Sequence, residues 1–286
     1  MADLTHLSLF SGIGGLDLAA EWAGFRTIGQ CEWADYPRKV LEKHWPDVPK
    51  WRDIHELTAD VIYRRIGCGP GEITCISGGF PCQPHSVAGK RKASCDERDL
   101  WPEFRRIIGE IRPPWVVAEN VRGLLSSEDG RFFLGILRDF TDLGYNVGWG
   151  VTSAAAVGAI HRRERTAIIA WNAESKQQNK IRSLSQRATT DPCRVGQAYT
   201  YNSCFGPQRW LSAKEQQKTN EQFERVCVHL LQRADAQYIS ESAILRGNHG
   251  IPKRVDRTKA LGNAVCPQQF YPIFKAIAEL EELEDG

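Results

Sequence analysis

Short apolar runs and helical stripes alternate along the first 170 residues. Leu7–Phe10 is an apolar run that meets Ser11-Gly12-Ile13-Gly14-Gly15, after which Leu16, Leu18, Ala19 and Trp22 recur at helical spacing until Gly24. That order predicts strand, glycine turn, helix. Thr27–Cys31 predicts a second strand ending at Glu32, Pro37–Trp45 a helix, and Glu72–Ser77 an apolar run closed by Gly78-Gly79. Trp101–Ile111 has an amphipathic helical period and stops before Pro113-Pro114; Trp115–Ala118 then reads as a fully buried strand ending in Glu119-Asn120. Phe132–Leu143, Asn146–Val151 and Arg165–Trp171 continue the alternation. The expected class is α/β, a doubly wound and mostly parallel sheet with helices on both faces, and function then belongs at the carboxyl ends of the strands.

From Asn172 to about Asn248 the periodicity dissolves into Gln, Asn, Ser, Arg and Lys, with one expected helix around Glu221–Arg233. A polar stretch of this length without sharp periodicity predicts a separate small lobe or binding region. Regular structure is expected again at Val255–Val265 and in a helix from Pro267 to about Leu283. The organisation read from the pattern is a main domain over 1–170, a lobe over 171–250, and a segment over 251–286 that packs back on the main domain.

Composition narrows the class. With 286 residues, 42% of them hydrophobic and 25% charged, the chain can bury a substantial core and is no disulfide mini-scaffold. Nine cysteines, an odd number with no Cys-x-x-Cys pair, predict reduced thiols and a cytoplasmic setting. Met1–Phe10 lacks a basic leader followed by a long apolar run, and no stretch approaches the ~20 apolar residues of a membrane span, so neither secretion nor membrane insertion is expected. The formal net charge of +2 conceals an uneven distribution. Residues 171–260 carry 15 basic and 8 acidic side chains, a balance of +7, while residues 1–60 carry 6 and 10 and residues 261–286 carry 1 and 5, a balance of −4 at each end. A basic segment within a near-neutral chain fits a lobe that contacts nucleic acid, or simply a solvated face.

The strand ends hold the candidate chemistry. Gly12-x-Gly14-Gly15 lets the backbone approach a ligand at a helix N-terminus, and Glu32, twenty residues after Gly12, suits a ribose diol. The dinucleotide fingerprint would want a third glycine where Asp17 stands, so a purely structural turn is the alternative. Pro81-Cys82-Gln83-Pro84 puts a cysteine between prolines just past a buried strand, with Gly89-Lys90-Arg91-Lys92 following. Exposure and positive charge favour the thiolate, which is the form of cysteine that attacks. Glu119 follows a run expected to be buried, which predicts a desolvated acid. Arg163 and Arg165 alternate with Glu164 on one face of an extended segment, an arrangement suited to a phosphate or a carbonyl oxygen. Cys193, Cys204, Cys227 and His229 match no compact zinc spacing, and no metal is expected.

Taken in order, these segments resemble the cytosine-5 DNA methyltransferase family, of the bacterial or phage restriction-modification type. Phe10-Ser11-Gly12-Ile13-Gly14-Gly15-Leu16 is similar to its methyl-donor loop, Pro81-Cys82-Gln83-Pro84 to its nucleophile motif, and Asp96-Glu97-Arg98-Asp99-Leu100-Trp101 to the segment after its mobile loop. Glu119-Asn120-Val121 resembles the base-binding motif, Arg162-Arg163-Glu164-Arg165 the arginine motif, and Leu261-Gly262-Asn263-Ala264-Val265 the late motif that packs on the cofactor. His85 stands where the family usually has Phe, Ser8 where Asp is frequent, and Ile160-His161 where Pro-Gln is common. The lobe has no matched counterpart.

The resemblance implies a Rossmann-like methyltransferase fold with a small target-recognition lobe, S-adenosyl-L-methionine as methyl donor, and double-stranded DNA as substrate. It implies methylation of C5 of a flipped cytosine through a Cys82 adduct at C6, with Glu119, Arg163 and Arg165 completing the catalytic set. Donor contacts are implied for Phe10, Gly12, Ile13, Gly14, Gly15, Leu16, Glu32, Trp33, Asp53, Ile54, Pro81, Leu100, Asn263 and Val265, and DNA contacts for Gln83, Ser86, Lys90, Arg91, Lys92 and Arg98. A bacterial or phage-encoded cytoplasmic monomer, with a cognate restriction endonuclease as genetic partner, completes the expectation. An RNA (tRNA) cytosine-5 methyltransferase on the same scaffold, a catalytically silent DNA-binding relative, and an NAD-dependent oxidoreductase are the rival readings.

Overall fold

The computed structural model describes residues 3–81, 99–173 and 262–282. The expectations that fall on Cys82, Gln83, Ser86, Lys90, Arg91, Lys92 and Arg98, on all but the first three residues of the lobe over 171–250, and on residues 251–261 lie outside the described residues.

Seven strands form one sheet: β1 (Thr5–Leu9), β2 (Arg26–Cys31), β3 (Lys50–Trp51), β4 (Cys75–Gly78), β5 (Trp115–Val121), β6 (Tyr145–Ser153) and β7 (Glu164–Asn172), in the order β3-β2-β1-β4-β5-β7-β6. The helices are α1 (Gly15–Trp22), α2 (Asp35–His44), α3 (Ala59–Ile66), α4 (Trp101–Ile111), α5 (Arg131–Asp142) and α6 (Pro267–Glu282). Strands β1 to β5 pair parallel; β7 is antiparallel to both neighbours, β5 and β6. The mostly parallel, Rossmann-like sheet is therefore as the pattern predicts. Both faces are covered, which is why the central strands read as near-continuous apolar runs.

Two hydrophobic cores flank the sheet. On one side Leu7, Leu9 and Ile76 meet Ile62 of α3, Phe104, Ile107, Ile108 and Ile111 of α4, and Ile136 and Phe140 of α5. On the other, Cys75, Trp115, Val117 and Ile169 meet Leu16, Ala19 and Ala20 of α1 and Phe270, Phe274 and Ile277 of α6. The C-terminal helix, expected from Pro267 to about Leu283, is thus part of the main core. α4 matches its predicted span: Asp99 Oδ1 accepts from the Trp101 amide (3.1 Å), Pro102 sits in the first turn, and Arg112 ends the helix in the left-handed region before the two prolines.

α3 and β3 are absent from the sequence expectation. Thr58 caps α3, accepting from the Val61 amide (3.3 Å), and Gly67 closes it in a left-handed conformation. Beside the sheet, Asp17 in the first turn of α1 is fully buried; its carboxyl accepts from Ser8 Oγ (2.9 Å) and Gln30 Nε2 (2.8 Å). Burial pushes its pKa up to about 6, against those hydrogen bonds. Asp17 occupies the third-glycine position because it pins α1 to β1 and β2.

Candidate active site

The parallel strands β1, β2, β4 and β5 deliver their carboxyl ends to one edge of the sheet, the edge where such folds bind ligands. The reversed strand β7 starts at that same edge: Val121 at the end of β5 pairs with Arg165, and Glu119 with Ala167. The reversal brings the arginine segment to the glycine turn and the acid, although a parallel strand would have sent it to the far edge.

After β1 the chain turns sharply. Phe10 has φ 54, a left-handed value that costs a residue with a side chain about 1–2 kcal/mol, and its ring packs edge-on against Phe104, centroids 5.9 Å apart. Gly12 (φ 56) and Gly14 (φ 88) continue the turn, and Gly14 precedes α1. Gly15 is needed for close approach: a Cβ there would stand 2.5 Å from the carbonyl oxygen of Val265. Leu16 is buried beneath the turn. Glu32, at the end of β2, accepts from the Gly12 amide (2.8 Å) and the Ala34 amide (2.8 Å), so the turn and the acid form one unit.

Further along the edge, Trp33 is 62% exposed with the Arg52 guanidinium 5.2 Å from its ring centroid; Arg52 pairs in turn with Asp35. Asp53 accepts from the His55 amide (2.9 Å) and lies 2.7 Å from His55 Nδ1, and the His55 amide holds its carboxyl below the usual range. Ile54 is buried behind it. Leu100 packs against the core, Asn263 is exposed, and Val265 reaches the glycine turn.

At the end of the sheet edge formed by β5 and β7, Glu119 is 8% exposed, and its Oε1 accepts from Arg165 Nε at 2.7 Å. Burial pushes its pKa up to about 7, overcoming the opposing pull of Arg165 and Arg163. Gly79 makes room for this carboxyl, because a Cβ there would stand 2.9 Å from Glu119 Oε2. Since Arg165 holds the carboxyl, it cannot simply swing away. Gly79→Ala is therefore expected to displace the Glu119 carboxyl and to lower turnover by as much as about a hundredfold with little change in melting temperature. Steady-state kinetics beside a thermal melt checks this, and unchanged turnover would contradict it.

Asn120, which the sequence reading left unassigned, has a role of its own. Its buried Nδ2 donates to the Phe80 carbonyl (3.0 Å), and Phe80 packs on Trp101 with ring centroids 5.1 Å apart. The peptide entering Pro81, which is exposed, is thereby fixed to β5. Only the adjacency of Asn120 to Glu119 could have signalled it. The two arginines diverge in what they hold: Arg165 meets Glu119, whereas Arg163 donates to the carbonyls of Gly262 and Ala264. Glu164, between them, pairs with Arg122 at 2.6 Å.

Cys31 and Cys75 are buried thiols; burial raises both pKa values, that of Cys31 to about 12. Neither is suited to attack. Among the described residues no group of three His, Cys, Asp or Glu side chains converges as a metal site, and no helix is long and apolar enough to cross a membrane.

Known proteins place this arrangement. Residues 4–248 match the C-5 cytosine-specific DNA methylase family. The type II methyltransferase M.Sau96I of Staphylococcus aureus is 35% identical over 171 residues, 58% of this chain and 38% of that protein. M.AquIA of Picosynechococcus is 34% identical over 173 residues, 57% of this chain and 70% of that protein. The chain spans about two fifths of the length of the S. aureus relative and of M.BsuFI of Bacillus subtilis, 38% and 39% respectively. Among solved structures, a DNA modification methyltransferase encoded within an E. coli prophage superposes with a TM-score of 0.52 at 27% identity, covering 59% of this chain and 47% of that one. The S. pombe Dnmt2 methyltransferase, at 17% identity, shares the fold over 98% of this chain and 100% of its own, with a TM-score of 0.58. From the sheet order, the acid at the end of β5 and the match over residues 4–248, this chain belongs to the C-5 cytosine-specific DNA methylase family.

Proposed function

We propose that the protein transfers a methyl group from S-adenosylmethionine to C5 of cytosine in duplex DNA, with Cys82 as nucleophile. The observation that carries this reading is Glu119: a buried carboxyl with a pKa near 7, ion-paired with Arg165 and one strand away from the Phe80-Pro81 peptide that leads into Cys82.

The glycine turn fits the donor. At Gly12, which has a positive φ, a Cβ would meet only open space, Glu32 lies against the Gly12 amide, and the exposed Trp33 ring and the Asp53 carboxyl stand along the same edge. Phe10, Glu32, Trp33 and Asp53, with Val265 behind the turn, are the residues that would hold its nucleoside. When bound, S-adenosylmethionine supplies an electrophilic methyl group. Cytosine C5 is a poor nucleophile until the Cys82 thiolate adds to C6, which breaks the C5–C6 double bond and places electron density on C5. Charge also develops at N3; a protonated Glu119 donates there, and Arg165 serves the O2 side. Methyl transfer to C5 releases S-adenosylhomocysteine; a water then takes the C5 proton, the C5–C6 double bond re-forms as the Cys82 thiolate is expelled, and the N3 proton returns to Glu119. Reaching C5 in a duplex requires flipping the base, at a cost of a few kcal/mol. The basic balance of residues 171–260 suits that section to DNA and to target recognition.

Transfer of label from S-adenosylmethionine to duplex DNA, with RNA and no acceptor as parallel arms, tests the reading. Label in duplex DNA alone is expected; label in RNA alone would move the substrate to RNA, and no transfer in any arm would contradict a methyltransferase. A separate measurement addresses the donor. Glu32→Ala removes the acceptor for Gly12 and for the ribose hydroxyls, so calorimetry should show S-adenosylmethionine weakened by about 1–3 kcal/mol. Unchanged affinity would place the donor elsewhere.

A further inference from the structure

The Arg163 guanidinium is directed at main chain about a hundred residues further on. Its Nη2 donates to the Gly262 carbonyl (2.9 Å) and to the Ala264 carbonyl. A second fastening lies beside it: Gln269, 1% exposed, donates from Nε2 to the carbonyl of Arg163 itself (3.0 Å), to the Thr152 carbonyl (3.1 Å) and to Thr152 Oγ1 (3.3 Å). Arg163 adopts φ 27, a value rare for a residue with a side chain and held here by these contacts. The same short segment touches the glycine turn on its other side, where the Val265 carbonyl occupies the space a Gly15 Cβ would need. Residues 262–265 therefore form a strap fastened to the start of β7 at one side and seated on the start of α1 at the other. Phe270 and Phe274 anchor the helix that follows, so the strap has little freedom to settle elsewhere.

Resting on the donor reading of the glycine turn, we propose that Arg163 is a positioning residue for methyl-donor binding. It holds Gly262 and Ala264, which seats Val265 against Gly15 and sets the Gly12–Gly15 turn, while Arg165, two residues on, serves the base pocket. The arginine pair divides between two substrates. One holds the donor site through the strap, and the other touches the acid that faces the base.

The test uses the full chain and S-adenosylhomocysteine as an unreactive calorimetric probe. Arg163→Ala is expected to raise the Kd at least about tenfold, as for loss of charge-assisted donors to two carbonyls. KM for the donor should rise in parallel, by a larger factor than any fall in kcat at saturating donor, since Arg163 also acts on Glu119 through its charge. Arg163→Lys should recover part of the affinity, since an ammonium can still donate to a carbonyl but without the guanidinium geometry. Arg165→Ala should show the reverse pattern, an unchanged Kd and a reduced kcat. Gly15→Ala displaces Val265 from the opposite side and should raise the Kd without any change at Arg163. A wild-type Kd in Arg163→Ala, or a loss confined to kcat as in Arg165→Ala, would overturn the proposal. If Arg163→Ala does not fold, wild-type Kd values in both Arg163→Lys and Gly15→Ala overturn it equally. Failure of the wild-type chain to bind the probe at all would instead remove the donor reading on which the proposal rests.

Discussion

Replacing Cys82 by alanine is expected to abolish methyl transfer, by on the order of a thousandfold or more, while donor affinity stays within about twofold of wild type. The asymmetry follows from the division of the sheet edge. The residues proposed to hold the nucleoside, Phe10, Glu32, Trp33 and Asp53, follow β1, β2 and β3, whereas position 82 follows β4 in the chain. In the proposed mechanism the thiol at position 82 adds to the base and holds no part of the nucleoside. The buried, high-pKa thiols Cys31 and Cys75 offer no substitute nucleophile. Single-turnover kinetics beside calorimetry measures both quantities. Retained turnover in the pure variant would end the assignment of Cys82, and loss of donor binding in parallel would mean that the substitution acts through the donor site.

The second large effect is expected at Glu119. Glu119→Gln keeps the shape of the side chain but removes the proton that the carboxyl carries to N3, so kcat should fall by about 10²–10⁴. Its pKa near 7 gives the pH dependence a sign: the useful form is the acid, which is lost as pH rises through about 7. The wild-type profile should therefore fall on the alkaline side with a limb near 7 that Glu119→Gln lacks. Stability follows the same linkage. A carboxyl whose folded pKa is raised stabilises the fold fully below its ordinary value, 4.5, and that contribution is lost as pH rises through about 7. The melting temperature of wild type minus that of the glutamine variant should accordingly decrease between pH 5 and pH 8. A profile identical in both proteins would mean that Glu119 does not deliver the proton.

Elements fixed by local chemistry were legible in the sequence. α4 lies where the apolar period and the paired prolines put it, and the apolar run Trp115–Ala118 is the buried start of β5, which continues through the buried Glu119 and Asn120 to Val121. α3 was missed because only Ile62 on it is fully buried, and β3 because two residues carry no periodicity. The reversal of β7 was also hidden: a strand's direction is set by its partners, and nothing in Glu164–Asn172 states it. Of the candidate site, Glu119 with Arg165, and Glu32 with the glycine turn, lie along one edge of the sheet. The role of Arg163 was not legible, because its acceptors are main-chain carbonyls 99 and 101 residues away and carry no side-chain signature. Asp17 was equally opaque, since a carboxylate on a helix ordinarily reads as a solvated face, and its partners Ser8 and Gln30 belong to two different strands.

The central claim, covalent catalysis by Cys82 on cytosine in duplex DNA, is tested most directly with a duplex carrying 5-fluorocytosine at the target. Fluorine cannot leave C5 as the proton does, so the enzyme should stall with its sulfur bonded to C6. Incubation with S-adenosylmethionine, denaturing electrophoresis and mass spectrometry of the digested adduct should give a slow-migrating complex that requires the donor and maps to the peptide containing Cys82. An adduct on another residue, or methylation of the ordinary target with no adduct on the fluorinated one, would contradict the account.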